Sequence, residues 1–356
     1  MKSVFVKKLV QIKNSVKFAT ALAKSKALGK RMPIMVSLHV TNRCNLRCPH
    51  CYANYDNRFG DPPPDFTAEE IERYIDDLYR LGMRWLTLLG GEPLLRRDIG
   101  RIIRHAKRKG ILVDLVTNGY LLPEKLEEIL PVDFICLSIE GDEAQHDWAR
   151  NTPGAYRAIL RALEALKDRG PKIRLHATLL RSNIEGIRHL SELAKRYDAE
   201  FGYSQVIVHE YNDSPEVRFS EEELRSFWRR LRENRATATS CYNSGFVLDY
   251  IADWPTEYRK LIRDSEDTKK YPGFDFLKCQ YGERYCYIDS EGYMYRCIVG
   301  GVKSGPNIRE VGVEVAWEQL AERSCEACSY IQHIEVNSLL NMKIKSIIKG
   351  IKYIIF

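Results

Sequence analysis

Three cysteines stand close together in Cys44-Asn-Leu-Arg-Cys48-Pro-His-Cys51, with three and then two residues between them. Thiolates ligate soft metals and iron–sulfur clusters. Three thiolates are one ligand short of a cube of four irons, and the iron left open can take a substrate group. A structural zinc site usually pairs such a spacing with a second pair of ligands nearby. Here nothing suitable follows Cys51 until Cys136, except His105. His50 lies inside the loop, where ligation would close the open position, so it reads as a bystander. A strand-like run, Met35-Val-Ser-Leu-His-Val-Thr41, leads straight into the loop.

Further along, Gly90-Gly91-Glu92-Pro93 follows a second strand-like run. Glycines there let backbone approach a ligand closely. Together, Cys44, Cys48 and Cys51 with the aromatic Tyr52 behind them resemble the signature loop of the radical S-adenosylmethionine (SAM) enzymes. Gly90, Gly91, Glu92 and Pro93 resemble that family's methionine-binding motif. The resemblance covers about residues 33–210, and the order and separation of the two motifs make it specific. It implies a 4Fe-4S cluster on the three cysteines, with SAM bound at the open iron and at the Gly90–Pro93 edge. It further implies an electron from a reductant protein such as ferredoxin or flavodoxin, reductive cleavage of SAM, and a 5′-deoxyadenosyl radical that attacks an unactivated carbon.

Other candidates sit at or after strand ends, where parallel α/β barrels place their chemistry. Thr117 and Asn118 end the third strand, although Asn-Gly is also ordinary turn chemistry. Ser138 and Glu140 share one face at the end of the fourth. The resemblance gives polar groups here to the ribose and the methionine carboxylate. Arg150 can fork onto a carboxylate, or pair with Asp142 or Asp147 at the surface. Thr178 and Asn183 are weaker candidates of the same kind. Val206 and Ile207 either flank the adenine or belong to the core.

A second group, Cys279, Cys286, Cys297, Cys325 and Cys328, brackets a hairpin turn at Asp289–Gly292. This stretch resembles the SPASM or twitch extension of the same family. Five thiolates suffice for one fully ligated auxiliary 4Fe-4S cluster with one cysteine over. Where the full pattern has further cysteines, this chain has Ser329-Tyr-Ile-Gln-His333, so a shortened, one-cluster module is expected. A zinc site of Cys279, Cys297, Cys325 and Cys328 is the alternative. Cys136 and Cys241 read as buried or incidental thiols.

The elements that must position these residues follow from pattern. Short apolar runs at 35–41, 84–90, 112–119, 134–140, 174–180 and 203–208 read as buried parallel strands. Helical periodicity falls between them, at 67–81, 97–109, 123–130, 154–169 and 184–197. Thr67 and Glu70 form a capping box ahead of an apolar face at Ile71, Tyr74, Ile75, Leu78 and Leu81. Six βα units predict an incomplete (β/α)6 parallel barrel of the radical SAM type, of α/β class, with a small C-terminal iron–sulfur module.

The expected organisation is a basic amphipathic helix over 1–32, the core over 33–212, a helical connector over 213–274, the auxiliary-cluster module over 275–335 and a second basic amphipathic helix over 336–356. Trp228, Trp254 and Tyr258 should anchor the connector.

The chain has 356 residues, 44% hydrophobic and 29% charged, with a net charge of +7. That describes a globular protein with a sizeable core. No apolar run reaches the length of a membrane span, and no signal peptide is evident, so the expected compartment is the cytoplasm. Residues 1–32 carry nine Lys and Arg and residues 336–356 carry four, with no acid in either. Removing those thirteen charges leaves about −6 on the body.

A nucleic-acid partner would more naturally call for a basic stripe across the body, so none is expected. Basic ends suit a membrane surface or an acidic partner. Phe5, Leu9, Ile12, Val16 and Ala19 recur at helical spacing near one end, and Leu340–Phe356 carries an isoleucine stripe among lysines. Such helices lie in a headgroup plane or pack on the core. They favour a membrane lipid or another membrane-associated molecule as substrate. A peptide or a tetrapyrrole is the alternative, and a non-catalytic iron–sulfur redox protein is disfavoured by the SAM motif.

Overall fold

The computed structural model describes residues 2–52, 64–184, 186–208, 213–234, 240–299, 305–320 and 325–342, with side chains from residue 9 onward. One sheet organises them. Its strands are β1 Met35–His39, β2 Trp85–Leu89, β3 Leu112–Thr117, β4 Phe134–Ser138, β5 Lys172–Leu179, β6 Glu200–Gln205, β7 Tyr285–Ile288 and β8 Met294–Tyr295. Their order is β6-β5-β4-β3-β2-β1-β7-β8. All pairings from β6 to β7 are parallel and only β7–β8 is antiparallel. β6 and β8 are the two edge strands and do not pair with each other, so the sheet stays open, as an incomplete barrel does.

Most helices cover the outer face. In chain order they are α1 Lys2–Ala27, α2 Ala68–Leu81, α3 Ile99–Arg108, α4 Leu122–Ile129, α5 Glu143–Arg150, α6 Ala155–Leu166 and α7 Ile187–Arg196. The remainder are α8 Glu221–Glu233, α9 Gly245–Ala252, α10 Ser265–Lys269, α11 Ile308–Val311, α12 Val313–Gln319 and α13 Ile331–Leu340. The capping box at Thr67 and Glu70 forms as its sequence requires, with both reciprocal hydrogen bonds. Alternation splits the strands into two layers. Val36, Leu38, Leu86, Leu88, Val113 and Leu115 face the helices in the main core. Met35, Trp85, Leu112, Phe134, Tyr285, Tyr287 and Tyr295 face inward in an aromatic cluster. Two helices, α1 and α13, reach this inner cluster through Phe18, Leu22 and Leu340.

Three features differ from the sequence expectation. First, the C-terminal hairpin extends the core sheet, with Met35 opposite Tyr285; the six-strand pattern could not reveal that long-range pairing. Second, β6 starts at Glu200, three residues before the predicted Tyr203. Gly202 sits inside the strand, where the Tyr242 ring occupies the space a side chain would need. Third, α1 docks through Asn14, Ser15, Phe18, Ala21, Leu22 and Ser25. Leu9 and Val16, on the predicted apolar face, stay 52% and 60% exposed. Spacing shows that a face exists, and the surface it meets decides which face is used. The predicted helix over 340–356 lies outside the described residues beyond Met342.

Trp228 and Trp254 are fully buried and Tyr258 nearly so, and Trp254 meets the rings of Tyr250, Phe274 and Phe276.

Candidate functional site

The cysteine loop leaves β1 and is held from below by the glycine motif. Gly91 N–H donates to Thr41 O at 2.7 Å and Glu92 N–H to Arg43 O at 2.8 Å. A Cβ on Gly91 would fall 2.3 Å from Arg43 O, so only glycine permits this approach. Arg96, buried and unremarked in the sequence, donates to Val40 O and Phe66 O, both at 2.9 Å. Its other end forks onto Asp98. The loop therefore starts from a fixed point.

Glu92 is fully engaged by protein groups. Its carboxylate accepts from Leu94 N–H at 3.0 Å, Thr117 Oγ1 at 2.7 Å and Asn118 N–H at 2.8 Å. Burial pushes this carboxyl up, against the pull of those donors. Glu92 thus holds the turn through three protein donors. Thr117 and Asn118 complete the same clasp, and Asn118 Nδ2 reaches Asn45 Oδ1 in the cysteine loop at 2.8 Å. The ends of β1, β2 and β3 are thus tied by side chains.

From the other side comes α5. Arg150 forks onto Glu140 at 2.8 and 2.6 Å and points Nη1 at Cys48 Sγ, 3.6 Å away. Neither Asp142 nor Asp147 is its partner: Asp142 caps α5 and Asp147 accepts from Gly154 and Tyr156 N–H. His146, buried, lies 3.1 Å from Glu140. Burial alone would raise the Glu140 carboxyl, but the Arg150 charge and His146 bring it down to about 2. Sequence reading missed α5 and His146, although Asp142 followed by Gln145 is the same capping-box signal used at Thr67.

The three loop thiols suit an iron–sulfur cluster. Cys44 Sγ accepts from Leu46 N–H at 3.5 Å, and Cys48 Sγ has the Arg150 guanidinium. Both are groups that stabilise thiolate charge. Burial raises the Cys44 thiol, and a bound cation would draw its proton off. His50 is buried with its imidazole lowered to about 4 by that burial, and His39 likewise. His39 Nε2 is a buried nitrogen without a hydrogen-bond partner, at the inner end of β1 against the Tyr52 ring.

Other candidates separate. Ser138 is half-buried on the inner face at the end of β4, opposite His176. His176 bonds the Tyr242 hydroxyl and, at 2.9 Å, Ser204 Oγ, a network absent from the sequence expectation. Asn183 is a loop clasp, bonded to Leu180 N–H and Thr178 O. Val206 lies beyond β6 and packs with Ala149, Leu180 and Val217, while Ile207 joins the inner aromatic cluster.

A second gathering of sulfur lies beyond β8. Cys279 hydrogen-bonds Cys325, and that bond, burial and the neighbouring Cys328 raise its thiol well above the ordinary value. Cys328 is raised by burial and by Cys297 and Cys325. Four neighbouring sulfurs form a donor set whose thiolates a cation would stabilise. Cys286 is a correction to the expected set. Strand alternation turns it away from Tyr285 and Tyr287 into the helix-side core, where it is fully buried. Among the described residues no three His, Cys, Asp or Glu side chains already close around an ion-sized point; the donors are neighbours, not a finished shell.

An unclosed parallel sheet with three thiols at its carboxyl edge, one beside a buried guanidinium, is the frame of an enzyme that holds an iron–sulfur cluster where a ligand can reach it. Residues 38–194 match the model of the radical SAM superfamily, so the chain carries a radical SAM domain. When bound, the cluster supplies the electron that cleaves SAM.

Among curated relatives, the AdoMet-dependent heme synthase of Methanosarcina barkeri is 29% identical over 302 residues, 80% of this chain and 82% of that one. The mycofactocin maturase MftC of Mycolicibacterium smegmatis is 27% identical over 175 residues, 48% and 44% of the two chains. The crystal structure of Streptococcus suis SuiB bound to S-adenosylmethionine superposes with a TM-score of 0.62 at 19% identity, over 83% of this chain and 68% of that one. It supports the fold.

Proposed function

We propose that this radical SAM enzyme modifies an unactivated carbon of a tetrapyrrole. One observation carries the reading. The similarity to the heme synthase runs over four fifths of both chains, far more than the radical SAM core at 38–194. The similarity to the peptide maturase spans about half of each chain. Two further relatives act in tetrapyrrole chemistry by name, an Fe-coproporphyrin III synthase and a pre-heme d1 synthase. These relatives weigh for the tetrapyrrole alternative over the membrane-lipid substrate that the basic termini suggested.

In this reading Cys44, Cys48 and Cys51 hold the catalytic cluster and the Gly90–Gly91 edge meets the methionine part of SAM. Ser138 and the ends of β4 and β5 line the nucleoside side. Cys279, Cys297, Cys325 and Cys328 hold an auxiliary 4Fe-4S cluster. Incubation under argon with SAM, dithionite and iron coproporphyrin III tests it. Tetrapyrrole-dependent formation of 5′-deoxyadenosine and a new tetrapyrrole mass are expected. If only an added peptide raises 5′-deoxyadenosine, the maturase-like reading replaces this one.

The place of work is a separate proposal. α1 turns Leu9, Val10 and Val16 outward among lysines, the composition of a helix resting on an anionic surface. In this reading the enzyme docks peripherally on the cytoplasmic face of a membrane. The wild-type protein should pellet with phosphatidylserine vesicles and be released by salt, whereas a Leu9→Glu/Val16→Glu protein should stay in the supernatant. Equal pelleting of the two would remove the support.

A further inference from the structure

We infer that His333 is part of the auxiliary site and donates a hydrogen bond to cluster sulfur, setting the reduction potential of that cluster. The inference rests on the reading that the four C-terminal thiols hold a cluster. It concerns a residue that no cysteine spacing points to, in the stretch Ser329–His333 where further thiols were expected and are missing.

The geometry is specific. His333 Nδ1 lies 3.8 Å from Cys297 Sγ and 3.8 Å from Cys328 Sγ. Nε2 is 4.0 Å from Cys297 Sγ. One imidazole edge therefore faces two of the four thiols, which come from distant parts of the chain. The ring is 1% exposed and held on both sides: Tyr281 packs on it at 4.5 Å and Tyr330 at 5.8 Å. Its backbone N–H donates to Tyr330 O at 2.8 Å, which fixes the first turn of α13. A buried, clamped imidazole aimed at sulfur has little freedom to serve anything else.

Two roles are open to such a ring, ligand or hydrogen-bond donor. Four thiolates already satisfy the four irons of a cube, so a fifth protein ligand has no vacant iron to occupy. Thiolate and sulfide sulfur carry no proton and can only accept. The nitrogen facing them is then the protonated one, and N–H donates to the sulfur of Cys297 and Cys328. Such bonds stabilise the extra negative charge of the reduced cluster more than the oxidised one, and so raise its potential.

The test isolates the auxiliary cluster. In a Cys44→Ala/Cys48→Ala/Cys51→Ala background, the full chain is reconstituted anaerobically, and iron content and an EPR-monitored redox titration are measured. His333→Phe keeps an aromatic ring but removes the N–H; His333→Gln keeps a donor. The expected result is unchanged iron in both variants, a more negative potential in His333→Phe, and a return toward the parent value in His333→Gln. An unshifted potential in His333→Phe overturns the inference, as does loss of iron from both variants, which would make the ring a ligand or a structural prop. A parent protein with zinc or no cluster at this site defeats the underlying reading itself, visibly and before any His333 variant is made.

Discussion

Replacing Cys48 with alanine should reduce 5′-deoxyadenosine formation from SAM to the level of a protein-free control. Cys48 is 4% exposed and lies at the junction of the two halves of the site. Its sulfur belongs to the loop fixed by Thr41, Arg43 and Asn45, and it receives Arg150 from α5. Removing it leaves two thiols where a cluster with one open iron needs three. The same substitution at Cys136 should leave cleavage intact. Cys136 sits on the inner face of β4 with its thiol pushed up to about 12 by burial, which marks an inert thiol. Quantifying 5′-deoxyadenosine by chromatography after anaerobic reduction decides the matter; sustained cleavage by Cys48→Ala would dismiss this loop as the catalytic one.

Glu140→Gln should be the most destabilising single change at the site, costing about 3–5 kcal/mol, because it leaves the Arg150 charge buried without its counterion. The pair is inaccessible on the Glu140 side and nearly so on the Arg150 side. Adding Arg150→Met should restore part of the loss, since the double variant no longer buries a lone charge. The pH dependence has a defined sign. The Glu140 carboxyl titrates at about 2 in the fold against an ordinary 4.5, so the folded state favours its ionised form. That contribution is complete above about pH 4.5 and is lost as the pH falls toward 2. Thermal unfolding of the wild type should therefore weaken through this window by more than that of Glu140→Gln. Parallel acid profiles for the two proteins would show that the pair does not stabilise the fold.

Much of the catalytic side was legible because its chemistry is local. A spacing of three and two residues puts three thiols on one loop wherever that loop lies. Gly90 and Gly91 announce a close backbone approach before the partner is known. The partner is the cysteine loop's own backbone, at Thr41 and Arg43, and nothing in a linear sequence identifies it. Likewise the capping box at Asp142 and Gln145 signals a helix, but that Arg150 at its far end would reach Cys48, 102 residues earlier, depends on how α5 settles over β4.

By itself the sequence determined the period-2 and period-3.6 elements, the thiol loop, the glycine turn and the hairpin at Asp289–Gly292, all set by neighbours a few residues apart. Tertiary structure decided everything that depends on which faces meet. It joined β7 to β1 so that the C-terminal hairpin extends the core sheet, turned Cys286 out of the cysteine group, and committed Glu92 to Thr117 and Asn118. It also docked α1 through the face of Phe18 and Leu22 instead of the predicted one and brought His333 to two sulfurs. Each outcome rests on contacts between residues far apart in the chain, where packing and buried polar pairing select one arrangement among several that the local pattern allows.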